Sequence, residues 1–386
     1  MVTNLPDKAK SKWAEVVAAR DVEDKIRLMK EFLSICPKHK GTAKLIINVK
    51  RKVSALEEEL EARKRRRKTA RDLFAVEKAG DVQIAIAGLT NVGKSSLLSA
   101  LTNARPLISN TPYTTTLPVV GAFHYDGVDF QLVELPALME GSSEGKGHGL
   151  KVMNIIRNAD GLILMIDASK DPVKQWQILT EELENSRILI KKPRGHVEIL
   201  RKPTGAITIG GGGRLIDCSF EEVKELLAGY GFKSVFVKLI GEVYMDDVED
   251  AIFGMSTYKP TIVLANKMDL PGSRENLDVV LKLVGELKVV PVSCTTGVGL
   301  SIIGKTLIET LELIRVYTKP VGSIKPDPKP IVLRRGATVS DVAKSIHREL
   351  YERFKYARIW SGNARGLRVG LNYPVEDGCI VEIHVK

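Results

Sequence analysis

The stretch Gly88-Leu89-Thr90-Asn91-Val92-Gly93-Lys94-Ser95 decides how this chain is read. An apolar run, Val82-Gln83-Ile84-Ala85-Ile86-Ala87, leads into it, and Ser96-Leu97-Leu98-Ser99-Ala100-Leu101 continues from it as a helix. Strand, glycine-punctuated loop and helix in that order build a phosphate cradle, because the N–H groups at the helix start point at the anion. Gly88, Asn91, Val92, Gly93, Lys94, Ser95 and Ser96 are therefore the expected nucleotide-binding residues. Lys94 is expected to reach the β- and γ-phosphates, and the Ser95 hydroxyl to ligate Mg²⁺.

Working outward, Phe130–Val133, Gly161–Ile166, Thr261–Ala265 and Val289–Val292 read as further buried strands separated by helices. Short apolar strands of this kind predict an α/β fold with a parallel-rich sheet. Asn266-Lys267-Met268-Asp269 closes one of these strands and selects the base. A carboxylate at Asp269 accepts from both N1–H and the 2-amino group of guanine, whereas adenine would leave a buried charge without donors. Lys267 belongs to the same motif, and the backbone at Ser293 and Cys294 is expected to face the guanine O6.

Between Pro172 and Lys259 the texture changes. Lys191-Lys192-Pro193, Arg201-Lys202-Pro203 and Gly210 to Gly213 punctuate short strands before an apparent helix at Phe220–Tyr230. This predicts an inserted α+β subdomain, which accounts for the long separation of Lys94 from Asn266. The Gly210–Gly213 run is either a hinge or an anion nest.

The first 80 residues predict helices. Val22, Ile26, Met29 and Leu33 recur at helical spacing, and Leu45, Val49, Val53, Leu56 and Leu60 form a second stripe on a helix from Thr42 towards Arg71. That helix ends in Arg63-Arg65-type basic density: Arg63, Lys64, Arg65, Arg66, Arg67 and Lys68 are consecutive. Cations at a helix C-terminus suit its dipole, but six exceed that need, so an RNA or ribosome contact is expected here. The expected divisions are 1–80 helical and basic, 81–171 and 259–318 nucleotide-binding, 172–258 inserted, and 319–386 linker plus C-terminal domain.

Composition sets the outer bounds. The 386 residues are 44% hydrophobic and 27% charged, which excludes disorder for most of the chain. A net charge of +11 favours a polyanionic partner. No apolar run is long enough for a membrane helix, and Met1–Trp13 lacks a signal-peptide core. Cys36, Cys218, Cys294 and Cys379 are far apart and read as isolated reduced thiols. A cytoplasmic, multidomain protein is expected.

Several motifs together carry a resemblance. The phosphate loop, Pro112-Tyr113-Thr114-Thr115, Glu134-Leu135-Pro136-Ala137, the run Gly141, Gly145, Gly147, Gly149, and Asn266–Asp269 resemble the Obg-related translation-factor GTPases, in particular the developmentally regulated GTP-binding (DRG) branch. The segment from Pro330 is similar to a β-grasp TGS domain, with Thr338 as the helix N-cap. The resemblance implies slow hydrolysis of GTP to GDP with Lys94 and Thr115 in catalysis. It further implies Mg²⁺ on Ser95 and Thr115 and, through water, on Glu134, with K⁺ on Asn91. Its implied partners are the ribosome, RNA or a translation factor, together with a DRG-family-type regulatory protein. A monomer is expected, with neither membrane binding nor DNA specificity.

The second switch departs from the family pattern. Relatives begin it D-x-P-G, whereas Glu134, Leu135, Pro136 and Ala137 stand here. Glu is one methylene longer than Asp, and Ala137 keeps its N–H but resists φ > 0. Leu138 occupies the place where Ras-like enzymes put a water-orienting Gln, a feature the resembled family shares. Two alternatives to a working GTPase follow: a GTP-binding regulatory pseudo-GTPase with little turnover, and a pure RNA- or ribosome-binding scaffold.

Overall fold

A computed structural model describes the chain except residues 1–4, 20, 38–41, 67–73, 105–116, 254–255, 324, 363 and 386. Two compact units emerge, one of residues 1–75 with 184–258 and one of residues 76–183 with 259–386.

In the larger unit the phosphate loop grows from the centre of a six-stranded sheet. Its order is Lys288–Pro291, Thr261–Asn266, Gly161–Asp167, Val82–Gly88, Val128–Glu134, Val119–Tyr125. Every neighbouring pair is parallel except the last, which is antiparallel. Val82–Gly88, Gly161–Asp167 and Thr261–Asn266 are buried at every position, as strands covered on both faces must be. The five expected strands are all present, and Val119–Tyr125 is added at the edge. It is mostly part-exposed, as an edge strand is.

The C-terminal sheet has five strands in the order Ile331–Arg334, Leu313–Thr318, Ile380–Val385, Phe354–Ser361, Ala364–Val369. Leu313–Thr318 pairs on both sides within this sheet, so the C-terminal domain begins before the division expected at 318/319. Its main helix, Val339–Ile346, opens with Asp341 accepting from the Thr338 N–H at 2.8 Å, the expected cap. Arg315 ties this domain to the turn Asp126-Gly127 by pairing with both Asp126 and Asp377.

The other unit joins segments that the sequence reading kept separate. Helices Asp7–Ala18, Val22–Ile35 and Ala43–Arg66 bury Trp13, Met29, Phe32 and Val49 in one core with Val223, Leu227, Val237 and Val248 of the insertion. Helix Pro172–Asn185, which opened the expected insertion, lies almost wholly in the larger unit, since that unit extends to Leu183. Gly211 and Gly213 are explained by close packing. A Cβ on Gly211 would fall 2.4 Å from the Leu239 carbonyl oxygen, and one on Gly213 2.6 Å from the Ile240 nitrogen.

Candidate nucleotide-binding site

The two motif glycines are required by sterics. A Cβ at Gly88 would sit 2.7 Å from the Met165 carbonyl oxygen, and one at Gly93 2.2 Å from Asn266 Nδ2. Gly93, at φ 99°, precedes the helix Lys94–Leu101, and Asn91 is also left-handed at φ 60°. Val92 is buried in the sheet core, while Ser95 and Ser96 fill the first helical turn at intermediate exposure.

The phosphate end is bonded to itself. Lys94 is buried, and its Nζ donates to the carbonyls of Gly88 at 3.1 Å and Leu89 at 2.7 Å. Burial pushes its pKa down to about 8, against a smaller upward pull from Glu134. The strand register Ile86↔Glu134 brings Glu134 beside the loop, where Oε1 accepts from Ser95 Oγ at 2.5 Å. A hydroxyl and a carboxylate meeting at the end of a phosphate loop are hard oxygen donors, so the residues fit Mg²⁺. Thr115 lies outside the described residues.

Glu134, Leu135 and Pro136 are buried, and Ala137 is half-buried. Two amides hold this segment against the loop, since the N–H of Leu135 donates to Ile86 and that of Leu138 to Gly88, at 3.0 and 3.1 Å. The Leu138 side chain is 1% exposed, so it packs inward and orients no water.

The base end is a closed network. Asn266 donates through Nδ2 to the Val92 carbonyl at 2.8 Å and accepts at Oδ1 from the Cys294 N–H at 3.2 Å, tying phosphate loop to base loop. That Cys294 N–H, expected to face the guanine O6, is thus shared with Asn266 here. The exposed Asp269 accepts at Oδ1 from the Ser293 hydroxyl at 2.6 Å. Lys267, left-handed at φ 67°, donates to Asp167 Oδ2 at 2.6 Å. Asp167 is buried, and its other oxygen accepts from the Ser169 N–H and hydroxyl. The signal was available in the ends of two strands: Asp167 sits opposite Asn266 in the parallel register, one residue before Lys267.

Of the basic run, Arg63, Lys64, Arg65 and Arg66 close helix Ala43–Arg66, and Arg67 and Lys68 lie outside the described residues.

The site matches known proteins. A family model described as 50S ribosome-binding GTPase covers residues 83–201, the C-terminal region of that domain covers 204–313, and a TGS domain covers 314–385. An uncharacterized GTP-binding protein of Methanocaldococcus jannaschii is 32% identical over 95% of this chain and 93% of its own. Developmentally-regulated GTP-binding protein 2 homolog of Dictyostelium discoideum is 30% identical over 94% of this chain and 99% of its own. The human Developmentally-regulated GTP-binding protein 2 is 32% identical over 81% and 85%. With the phosphate loop, the guanine-selecting motif and the C-terminal TGS domain in place, this chain belongs to the developmentally regulated GTP-binding family of P-loop GTPases.

Proposed function

We propose that the chain is a Mg²⁺-dependent switch that hydrolyses GTP slowly and signals its nucleotide state to the ribosome or a translation factor. The observation behind this reading is the Ser95–Glu134 contact, which couples the phosphate loop to the first residue of the second switch. Phosphate binding draws Lys94 away from the Gly88 and Leu89 carbonyls; Ser95 would hold Mg²⁺ directly and Glu134 through water, and the ion when bound would supply charge neutralisation on the phosphates. Water attacks the γ-phosphorus in line, the bond to the bridging oxygen breaks, and GDP leaves with that electron pair. Lys94 stabilises the oxygens that gain charge, as does Thr115 by family resemblance. With Leu138 turned inward nothing at that position orients the water, so turnover is slow; Asn91 would be the residue to hold a K⁺, which would supply positive charge to offset that developing on the phosphates.

Basic surfaces support an RNA-rich client. In addition to the run at Arg63–Lys68 in the sequence, strand Phe354–Ser361 alternates inward Ala357 and Ile359 with Tyr356, Arg358 and Trp360 on its other face. The exposed Arg368 lies 4.0 Å over the Tyr356 ring, and with Arg358 this gives a cationic and aromatic face suited to phosphates and bases. Among the described residues no helix is long and apolar enough to cross a membrane. Co-sedimentation with ribosomes at stepped salt tests this reading. Pelleting with a GTP analogue and release with GDP is expected; absence from the pellet in both states at low salt overturns the ribosomal client.

A second reading, a regulatory pseudo-GTPase, is favoured by Glu134 and Ala137, which stand where the family's second switch has Asp and Gly. Glu134→Asp combined with Ala137→Gly separates the two, because it raises turnover at least tenfold only if the native second switch is what blocks hydrolysis.

A further inference from the structure

Beyond Leu138 the second switch enters the glycine run, where Gly141, Gly145 and Gly147 all have positive φ. Such a segment has little conformational preference of its own. Yet Ser142 and Ser143 within it are buried, and a Cβ on Gly149 would fall 1.9 Å from the Ser142 carbonyl oxygen. A carboxylate organises this knot. Glu182, on helix Pro172–Asn185, is 5% exposed; Oε1 accepts from the Gly141 N–H at 2.7 Å and Oε2 from the Ser143 N–H at 2.6 Å. A buried carboxylate bonded to two amides is a strong, directional anchor.

We propose that Glu182 is a positioning residue of the second switch, fixing its far end so that Ala137 is held beside the phosphate loop for the third phosphate. The segment is pinned twice: at its near end by Leu135 to Ile86 and Leu138 to Gly88, and at its far end by Glu182. Ala137 lies between the two near-end bonds, and the Glu182 bonds fix the path by which the chain leaves Leu138. Among the described residues, none of the GDP-holding groups Lys94, Ser95, Lys267 and Asp269 hydrogen-bonds to Glu182, whose bonds go to the switch segment. A residue that acts through the second switch therefore shifts the population that accepts a γ-phosphate and leaves GDP affinity untouched.

This inference rests on the guanine-nucleotide reading, and its test keeps the two apart. Calorimetry of the full chain with GDP and with a non-hydrolysable GTP analogue is run on the wild type and on Glu182→Gln, which retains side-chain size but not charge. We expect the analogue to bind about tenfold more weakly to the variant and GDP to bind within twofold of wild type. Unchanged affinity for both nucleotides, or parallel weakening of both, overturns the proposal. Wild type that binds neither nucleotide overturns the underlying reading instead. Hydrogen exchange on the wild type needs no variant to fold: Gly141 and Ser143 amides should exchange more slowly with the analogue than with GDP, and equal exchange contradicts the anchor.

Discussion

The two ends of the nucleotide site are built in opposite ways. At the base end, Asn266 ties Val92 to Cys294, Asp167 holds Lys267 and Ser293 holds Asp269, so the groups that read guanine are already placed. At the phosphate end, Lys94 is folded onto its own loop and Ser95 onto Glu134, so their polar atoms bond inside the protein. Specificity is preorganised, whereas charge sensing requires bonds to be exchanged. A switch needs this asymmetry, because only the end that rearranges can report which nucleotide is present.

The comparison is broken most severely at Lys94. Lys94→Ala removes the cation that must move onto the phosphates, and should cost roughly 300-fold in affinity for GDP and GTP alike, read by calorimetry. Retained affinity would mean the cradle works through its backbone alone. At the other end, Asp269→Asn should weaken GDP binding about 100-fold and leave the poor binding of ADP unchanged, which collapses discrimination between the bases. Asp167→Asn loosens Lys267 without touching the ligand, so a smaller loss of about tenfold is expected, equal for GDP and GTP. An effect on GTP alone would move Asp167 to the sensing end.

The mildest test is pH. Nucleotide-free Lys94 titrates near 8, and an added phosphate raises that value, so binding takes up a proton above pH 8. GDP affinity should fall by up to about tenfold per pH unit from there until the bound form itself titrates. Lys94→Arg stays charged and should flatten that slope. Folding of the nucleotide-free protein changes in the opposite sense. Lys94 is depressed below the ordinary lysine value of about 10.4, so between pH 8 and that value the unfolded chain binds more protons and stability rises with pH.

Much of this site was legible because its signals are local. Gly88 to Ser95 and Asn266 to Asp269 specify a loop, a helix start and a strand end within a few residues of one another. What escaped depends on partners distant in sequence. Asp167 and Glu182 are unremarkable acids until the sheet and helix place them against Lys267 and the Gly141 and Ser143 amides. Helical periodicity identified the stripe through Leu45, Val49 and Val53, but it carries no information that Val223 and Val237 complete the same core. Strand Val119–Tyr125 also escaped although Val119 to Phe123 is apolar, because it pairs antiparallel with Val128–Glu134 through a tight turn and so stands outside the strand–helix alternation that marks the others. The Gly210–Gly213 run left a hinge and an anion nest open; the close approach of Leu239 and Ile240 backbone accounts instead for Gly211 and Gly213, while a Cβ on Gly212 would meet nothing.

Single-turnover hydrolysis of GTP with protein in excess, compared in K⁺ and Na⁺ with Lys94→Ala as the blank, decides whether this site turns GTP over. Slow conversion to GDP and phosphate that depends on Mg²⁺, is faster in K⁺ and disappears in the blank is the expected result. GTP that remains intact while bound, in both salts and with Mg²⁺ present, would contradict it.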